Sequence, residues 1–221
     1  YSQSKVISLT QPTEYGTCYT AEEISEITQW AHSQGLYVHI DGARIANAVH
    51  YLQTSFAHLF SDTHVDVISF GGTKNGFMLG EAVVFLNQKL AEDFIYIRKQ
   101  SGQLPSKTRF ISAQFMHYLG SGLWKKIAQH SHEMALLLYN SIKTIPGIEI
   151  TQPIESNAVF VKIPHKWVKP LREKAFFYVW DEKTFECRLM TSFDTTEEEI
   201  HIFTKELQNL SSQHFETKET L

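Results

Sequence analysis

The chain has 221 residues, enough for one large domain or two small ones. Apolar residues make up 43% and charged residues 20%, so a packed core is feasible and a disordered chain is excluded. A net charge of −4 removes the basic footprint of a nucleic-acid binder, and no apolar run approaches the roughly 18 residues of a membrane-spanning helix. Two distant cysteines, Cys18 and Cys187, form no disulfide framework and point to reduced thiols in a cytoplasmic protein. The eleven histidines are scattered without metal-ligand spacing, so no metal is expected.

The chain does not begin with Met and enters almost at once a strand over residues 6–10, which reads as a piece of a longer polypeptide. Gln11-Pro12-Thr13-Glu14 makes a turn. Thr20-Ala21-Glu22-Glu23 is a capping box, and Ile24, Ile27, Trp30 and Ala31 share one helical face that ends at Gly35. A strand over 37–41, a short helix over 44–52, and strands over 65–70 and 81–86 follow. This alternation predicts a mostly parallel sheet covered by helices, with ligands at the carboxyl ends of its strands. Helices are expected over 88–99, 107–119 and 123–145, the last stopped by Pro146-Gly147. Beyond it, strands at 148–151, 158–163, 176–180 and 188–192 alternate with helices at 167–174 and 196–210, a small α+β domain. The predicted division is 1–122 for the large domain, 123–211 for the small one, and a fraying tail over 212–221.

Two strand ends carry candidate chemistry. Tyr37-Val38-His39-Ile40-Asp41-Gly42-Ala43-Arg44 ends a strand on an aspartate, and Val65 to Asn75 runs through Gly71-Gly72-Thr73 into Lys74. A carboxylate that keeps a pyridine nitrogen protonated and a lysine that holds an aldehyde as a Schiff base are what a pyridoxal phosphate enzyme requires. The glycines could bring backbone close to a phosphate, and a lysine ending an apolar strand would be desolvated. Each residue also has a plain reading. Lys74 is a surface lysine, Asp41 a helix N-cap, Arg44 half of a surface ion pair, and His39 a core histidine.

The motifs settle between these by resemblance. His39-Ile40-Asp41-Gly42-Ala43-Arg44-Ile45-Ala46-Asn47-Ala48 resembles the HxDGAR(I/L)xNA signature of the threonine aldolase and β-eliminating lyase group. Ser69-Phe70-Gly71-Gly72-Thr73-Lys74-Asn75-Gly76 resembles its Schiff-base segment. Residues 106–115 and 187–193 resemble later segments in the family's order, with most similarity to the phenylserine and low-specificity threonine aldolases. The resemblance implies an aspartate aminotransferase-like α/β fold (fold type I), comprising the C-terminal part of the large parallel-sheet domain and the small α+β domain.

By position, Lys74 would hold the cofactor pyridoxal 5'-phosphate, with Asp41 on its ring nitrogen. Arg44 would lie near the phenolic oxygen and the amino acid carboxylate. Thr73 and His39 would touch the cofactor, and His39 is one candidate for the base. Arg188 would clamp the substrate α-carboxylate; without the family it reads as a strand-edge arginine facing water. Lys107 or Arg109 would reach the phosphate of a neighbouring subunit. The implied reaction cleaves the Cα–Cβ bond of a small β-hydroxy amino acid to glycine and an aldehyde, in a homodimer or homotetramer with shared sites. β-Elimination, transamination and a non-catalytic fragment are the alternatives. The family's phosphate-binding glycine loop and ring-stacking residue would belong to an N-terminal segment upstream of Tyr1.

Overall fold

The computed structural model describes residues 3–219, with side chains to residue 214. Residues 1–2 and 220–221, the extremes of the predicted first domain and tail, lie outside the described residues. The chain divides into two compact units: Tyr1–Glu14 with Cys18–Ala128, and Tyr15–Thr17 with Gln129–Leu221. The division falls inside a helix, whereas the sequence reading places it before residue 123.

In the first unit, β1 (Val6–Thr10), β2 (Tyr37–Gly42), β3 (Val67–Gly71) and β4 (Glu81–Phe85) form one sheet in that order. β1, β2 and β3 are parallel, and β4 is antiparallel to β3. The sheet is therefore mixed: nine residues join β3 to β4, too few for the helical crossover a parallel return needs. Helices α1 (Ala21–Ser33), α2 (Ile45–Tyr51), α3 (Phe94–Gln100), α4 (Arg109–Gly120) and the start of α5 (Leu123–Ile142) complete the unit.

The capping box of α1 forms as expected. Glu23 N–H donates to Thr20 Oγ1 at 3.2 Å, and Thr20 N–H to the Glu23 carboxylate at 2.8 Å. Its buried stripe is Ile24, Thr28 and Ala31, while Trp30 is 58% exposed, contrary to the expected face. Thr28 is tolerated inside because its hydroxyl donates to Ile24 O at 2.8 Å. The region expected to be helical over 88–99 is a 3₁₀ turn (Gln88–Ala91) followed by α3, and a π-helical turn at Ala57–Ser61 was not foreseen.

Asp66, one residue before β3, is buried and accepts from Val38 N–H at 2.8 Å, His32 Nε2 at 2.9 Å and Asn87 Nδ2 at 2.8 Å. Burial pushes its pKa up. The hydrogen bonds from Asn87, His32 and Val38 N–H outweigh that, so the net direction is below the ordinary carboxylate value. The core consists of Ile24, Val38, Ile40, Ile45, Phe60 and Ile68 with their neighbours.

The second unit has an antiparallel sheet of β5 (Glu149–Ile150), β6 (Ala158–Lys162), β8 (Glu186–Met190) and β7 (Tyr178–Asp181), in that order. One face packs Val159, Val161, Cys187 and Leu189 against α5, α6 (His165–Arg172) and α7 (Glu197–Glu219). Helix α7 continues to Glu219, through most of the tail expected to fray. Both cysteines are free, and burial pushes the Cys187 thiol up to about 11. No helix among the described residues is long and apolar enough to cross a membrane.

Candidate active site

Strand β2 ends in a turn held from two directions. Gln11 N–H donates to Asp41 O at 2.9 Å, and Ala43 N–H donates to Asp41 Oδ1 at 3.2 Å. Gln11 is itself buried and paired twice with the backbone of Tyr19, at 2.9 and 3.0 Å. Helix α2 starts at Ile45 with Arg44 at its N-cap and no side-chain cap, so Asp41 is not the helix cap that its plain reading suggests. Asp41 and Arg44 are both half-buried. Gly42 is required here, because a β-carbon would come within 2.9 Å of Ser69 O.

Strand β3 ends at Gly71, beside β2, with Asp41 opposite Ser69 and Gly42 opposite Phe70. Thr73–Asn75 then form one 3₁₀ turn closed by Gly76 at φ 95. Gly72 N–H and Thr73 N–H donate to the Glu81 carboxylate at 3.0 and 3.3 Å, and Gly80 N–H donates to Thr73 Oγ1 at 3.2 Å. These backbone donors of the glycine turn are therefore not open to a phosphate. The donors are already taken by a carboxylate, whose charge would repel a phosphate at that spot. The glycines serve packing instead: a β-carbon on Gly71 would overlap Ala43 O, and one on Gly72 would overlap Gly80 O. Lys74 is exposed rather than desolvated, because the 3₁₀ turn carries it off the end of the strand. Asn75 is buried, and its Nδ2 donates to Gly71 O at 2.8 Å and Ala43 O at 3.4 Å.

His39 and Asp41 lie on the same face of β2, two residues apart. The ring of His39 spans three strands, with Nδ1 2.8 Å from Ser8 Oγ and Nε2 2.9 Å from Ser69 Oγ. Burial lowers its pKa, against an opposing pull from Asp41. With both nitrogens engaged laterally, this imidazole is wired into the sheet.

Lys107 and Arg109 are exposed. Lys107 has φ 63, and Arg109 begins α4 with its guanidinium 4.9 Å from the Phe110 ring centroid. Neither side chain hydrogen-bonds to the Asp41 or Lys74 turn among the described residues. Arg188, in the second unit, is half-buried on the interior strand β8, flanked by Phe160 and Tyr178. It is thus no strand-edge arginine. Its guanidinium lies 4.4 Å from the Trp180 ring centroid and 5.6 Å from that of Tyr178.

The structure thus brings His39, Asp41, Arg44, Thr73 and Lys74 onto adjacent strand ends of one unit, and places Arg188 in the other. Gln11, Asn75, Glu81, Ser8, Ser69 and Trp180 were not singled out for what they hold. Only Asn75 and Ser69 offered a signal, as polar residues within the recognised Schiff-base segment.

An aspartate and a lysine at neighbouring parallel strand ends, in a chain that also carries a small antiparallel α+β unit, define an aspartate aminotransferase-like protein of fold type I. The chain matches the family model for beta-eliminating lyases over residues 1–165 and belongs to that family. It is 38% identical over 212 residues to the low specificity L-threonine aldolase of Pseudomonas sp. (strain NCIMB 10558), covering 96% of this chain and 61% of that relative. Among solved structures it matches Leishmania major threonine aldolase with a TM-score of 0.84 and 30% identity, over 94% of this chain and 61% of that one. The fold extends to Oryza sativa TDC, solved with PLP and tryptamine, at a TM-score of 0.71 and 14% identity, over 95% of this chain and 48% of that one. The family and the fold indicate pyridoxal phosphate as cofactor. The chain spans about 60% of the length of the curated relatives it matches first.

Proposed function

We propose that the protein is a pyridoxal phosphate-dependent aldolase that cleaves the Cα–Cβ bond of a small β-hydroxy amino acid, such as threonine, allo-threonine or phenylserine, to glycine and an aldehyde. The observation that carries this reading is the pairing of the Asp41 and Lys74 turns at the carboxyl ends of adjacent parallel strands. The residues fit the cofactor. Asp41 Oδ1 is oriented by the Ala43 N–H, which leaves the carboxylate able to accept the proton of a ring nitrogen. Lys74 is exposed, so its amine is open to an aldehyde. When bound, the cofactor supplies an electron sink for negative charge at the amino acid's Cα.

The chain's own groups do the rest. Asp41 would hold the ring-nitrogen proton, and Arg44 in the first unit and Arg188 in the second are each candidates to bind the amino acid carboxylate, whose orientation would select the Cα bond that breaks. Trp180 and Tyr178 restrict the Arg188 guanidinium before substrate arrives. Thr73 keeps its hydroxyl proton free to donate, since its oxygen already accepts from Gly80 N–H. His39 orients the sheet face beside Asp41, and its engaged nitrogens disfavour it as the base. The Glu81 carboxylate at the glycine turn would disfavour a phosphate there, and Lys107 or Arg109 of a neighbouring subunit is the candidate cation. We extend the reading to a cytoplasmic homodimer or homotetramer with shared sites.

The test is visible absorbance of the full-length protein with added cofactor, repeated with Lys74→Ala, followed by incubation with threonine, allo-threonine and phenylserine. A lysine-dependent band and release of aldehyde with glycine are expected. Oxo-acid products would move the protein to elimination or transamination. No band in the wild type would end the cofactor reading.

A further inference from the structure

We propose that Asn75 is a positioning residue that sets the Lys74 turn against the Asp41 turn, and so fixes where a cofactor held by Lys74 lies relative to the Asp41 carboxylate. This rests on the site reading above. Asn75 is 2% exposed, an unusual place for a primary amide unless its donors are used. Its Nδ2 donates to Gly71 O at 2.8 Å, the residue that ends β3, and to Ala43 O at 3.4 Å, between Asp41 and Arg44. A primary amide carries two donors on one nitrogen, which is what a bond to two separate carbonyls requires. The second distance is long, so the Ala43 contact is the weaker of the two.

Gly71 completes the arrangement. A β-carbon there would overlap the Ala43 carbonyl, so the two turns approach through bare backbone. The Asn75 amide draws a side-chain bond across that approach. Its own N–H closes the 3₁₀ turn on Gly72 O at 2.9 Å, and Lys74 precedes it directly in the chain. Any shift of Asn75 therefore moves the Lys74 Cα. An apolar side chain of equal size would fill the same space yet leave both carbonyls without this donor.

The experiment uses the full-length protein with pyridoxal phosphate and compares wild type with Asn75→Ala. Three quantities are read: the cofactor Kd, the pH midpoint of the visible band, and the melting temperature of the cofactor-free protein. The expected result is a Kd about tenfold weaker, which corresponds to about 1.4 kcal/mol, with a midpoint moved by about half a unit or more. A lowered melting temperature with Kd and midpoint unchanged would make Asn75 a packing residue only and overturn the proposal. Should Asn75→Ala fail to fold, Asn75→Ser, with a short donor that cannot span both carbonyls, is read by the same criteria. A wild-type band that survives Lys74→Ala would overturn the site reading together with this inference, an outcome distinct from failure at Asn75 alone.

Discussion

The Lys74 turn and the stretch from Ser101 to Arg109 both offer basic residues to an anionic ligand, but they are built differently. In the first, buried glycines pack against backbone, Glu81 takes two N–H groups, and Asn75 reaches two carbonyls. In the second, every residue from Ser101 to Lys107 is exposed, and the hydrogen bonds are local, such as Thr108 Oγ1 to Pro105 O at 2.9 Å. Residue type alone makes Lys74, Lys107 and Arg109 comparable candidates. Packing separates them: the chain itself fixes the backbone that carries Lys74, while Lys107 and Arg109 stand exposed, held only by local hydrogen bonds of their backbone.

The largest expected break in this contrast is Lys74→Ala, which should abolish both the visible cofactor band and aldehyde release, read by absorbance and product assay. Next comes Gly71→Ala. Its new methyl meets Ala43 backbone and should destabilise by about 1–3 kcal/mol, as overpacking does, measured by the denaturant midpoint. Gly120→Ala, at the end of α4 with nothing within 4 Å of the added carbon, should instead stabilise by about 0.5–1 kcal/mol.

Asp66 gives a pH-dependent break at the base of the same hairpin, where its backbone carbonyl accepts from Leu86 and Asn87 N–H at 2.9 and 3.1 Å. Its folded pKa lies below the unfolded value of about 3.9. The stability it contributes is present above that value and is lost as pH falls through the folded pKa. Melting temperature should therefore drop on acidification below about pH 4, and less steeply in Asp66→Asn. The smallest effects belong to Lys107→Ala and Arg109→Ala, each within about 0.5 kcal/mol of wild type in stability. A weakened cofactor Kd in one of them and not the other would identify the phosphate-binding cation.

Most of the scaffold was legible in the sequence because it obeys local rules. The capping box of α1, the strand-end motifs and the Pro146-Gly147 stop follow from propensity and punctuation. Trp30 escaped because helical spacing assigns a face without saying how wide the covering surface is. The antiparallel direction of β4 was available from the short link between the strands, which leaves no room for a helical crossover, although the strand's own residues carry no direction. Within the site, Asp41 and Lys74 stood out through their motifs. Glu81 did not, since nothing in its position reveals that a reversed strand brings its carboxylate to the glycine turn. His39 looked like a potential base because sequence shows a residue but not the serines on two other strands that engage it.

The hairpin formed by β3 and β4 has one further consequence. Gly72, Thr73, Asn75, Gly80 and Glu81 find their partners largely within this single short stretch, whereas the Asp41 turn depends on Gln11, thirty positions earlier. Closing a short loop costs less chain entropy than closing a long one. The order of assembly that follows has the lysine turn acquiring its shape from near neighbours, and the parallel strands then bringing the aspartate to a surface already formed.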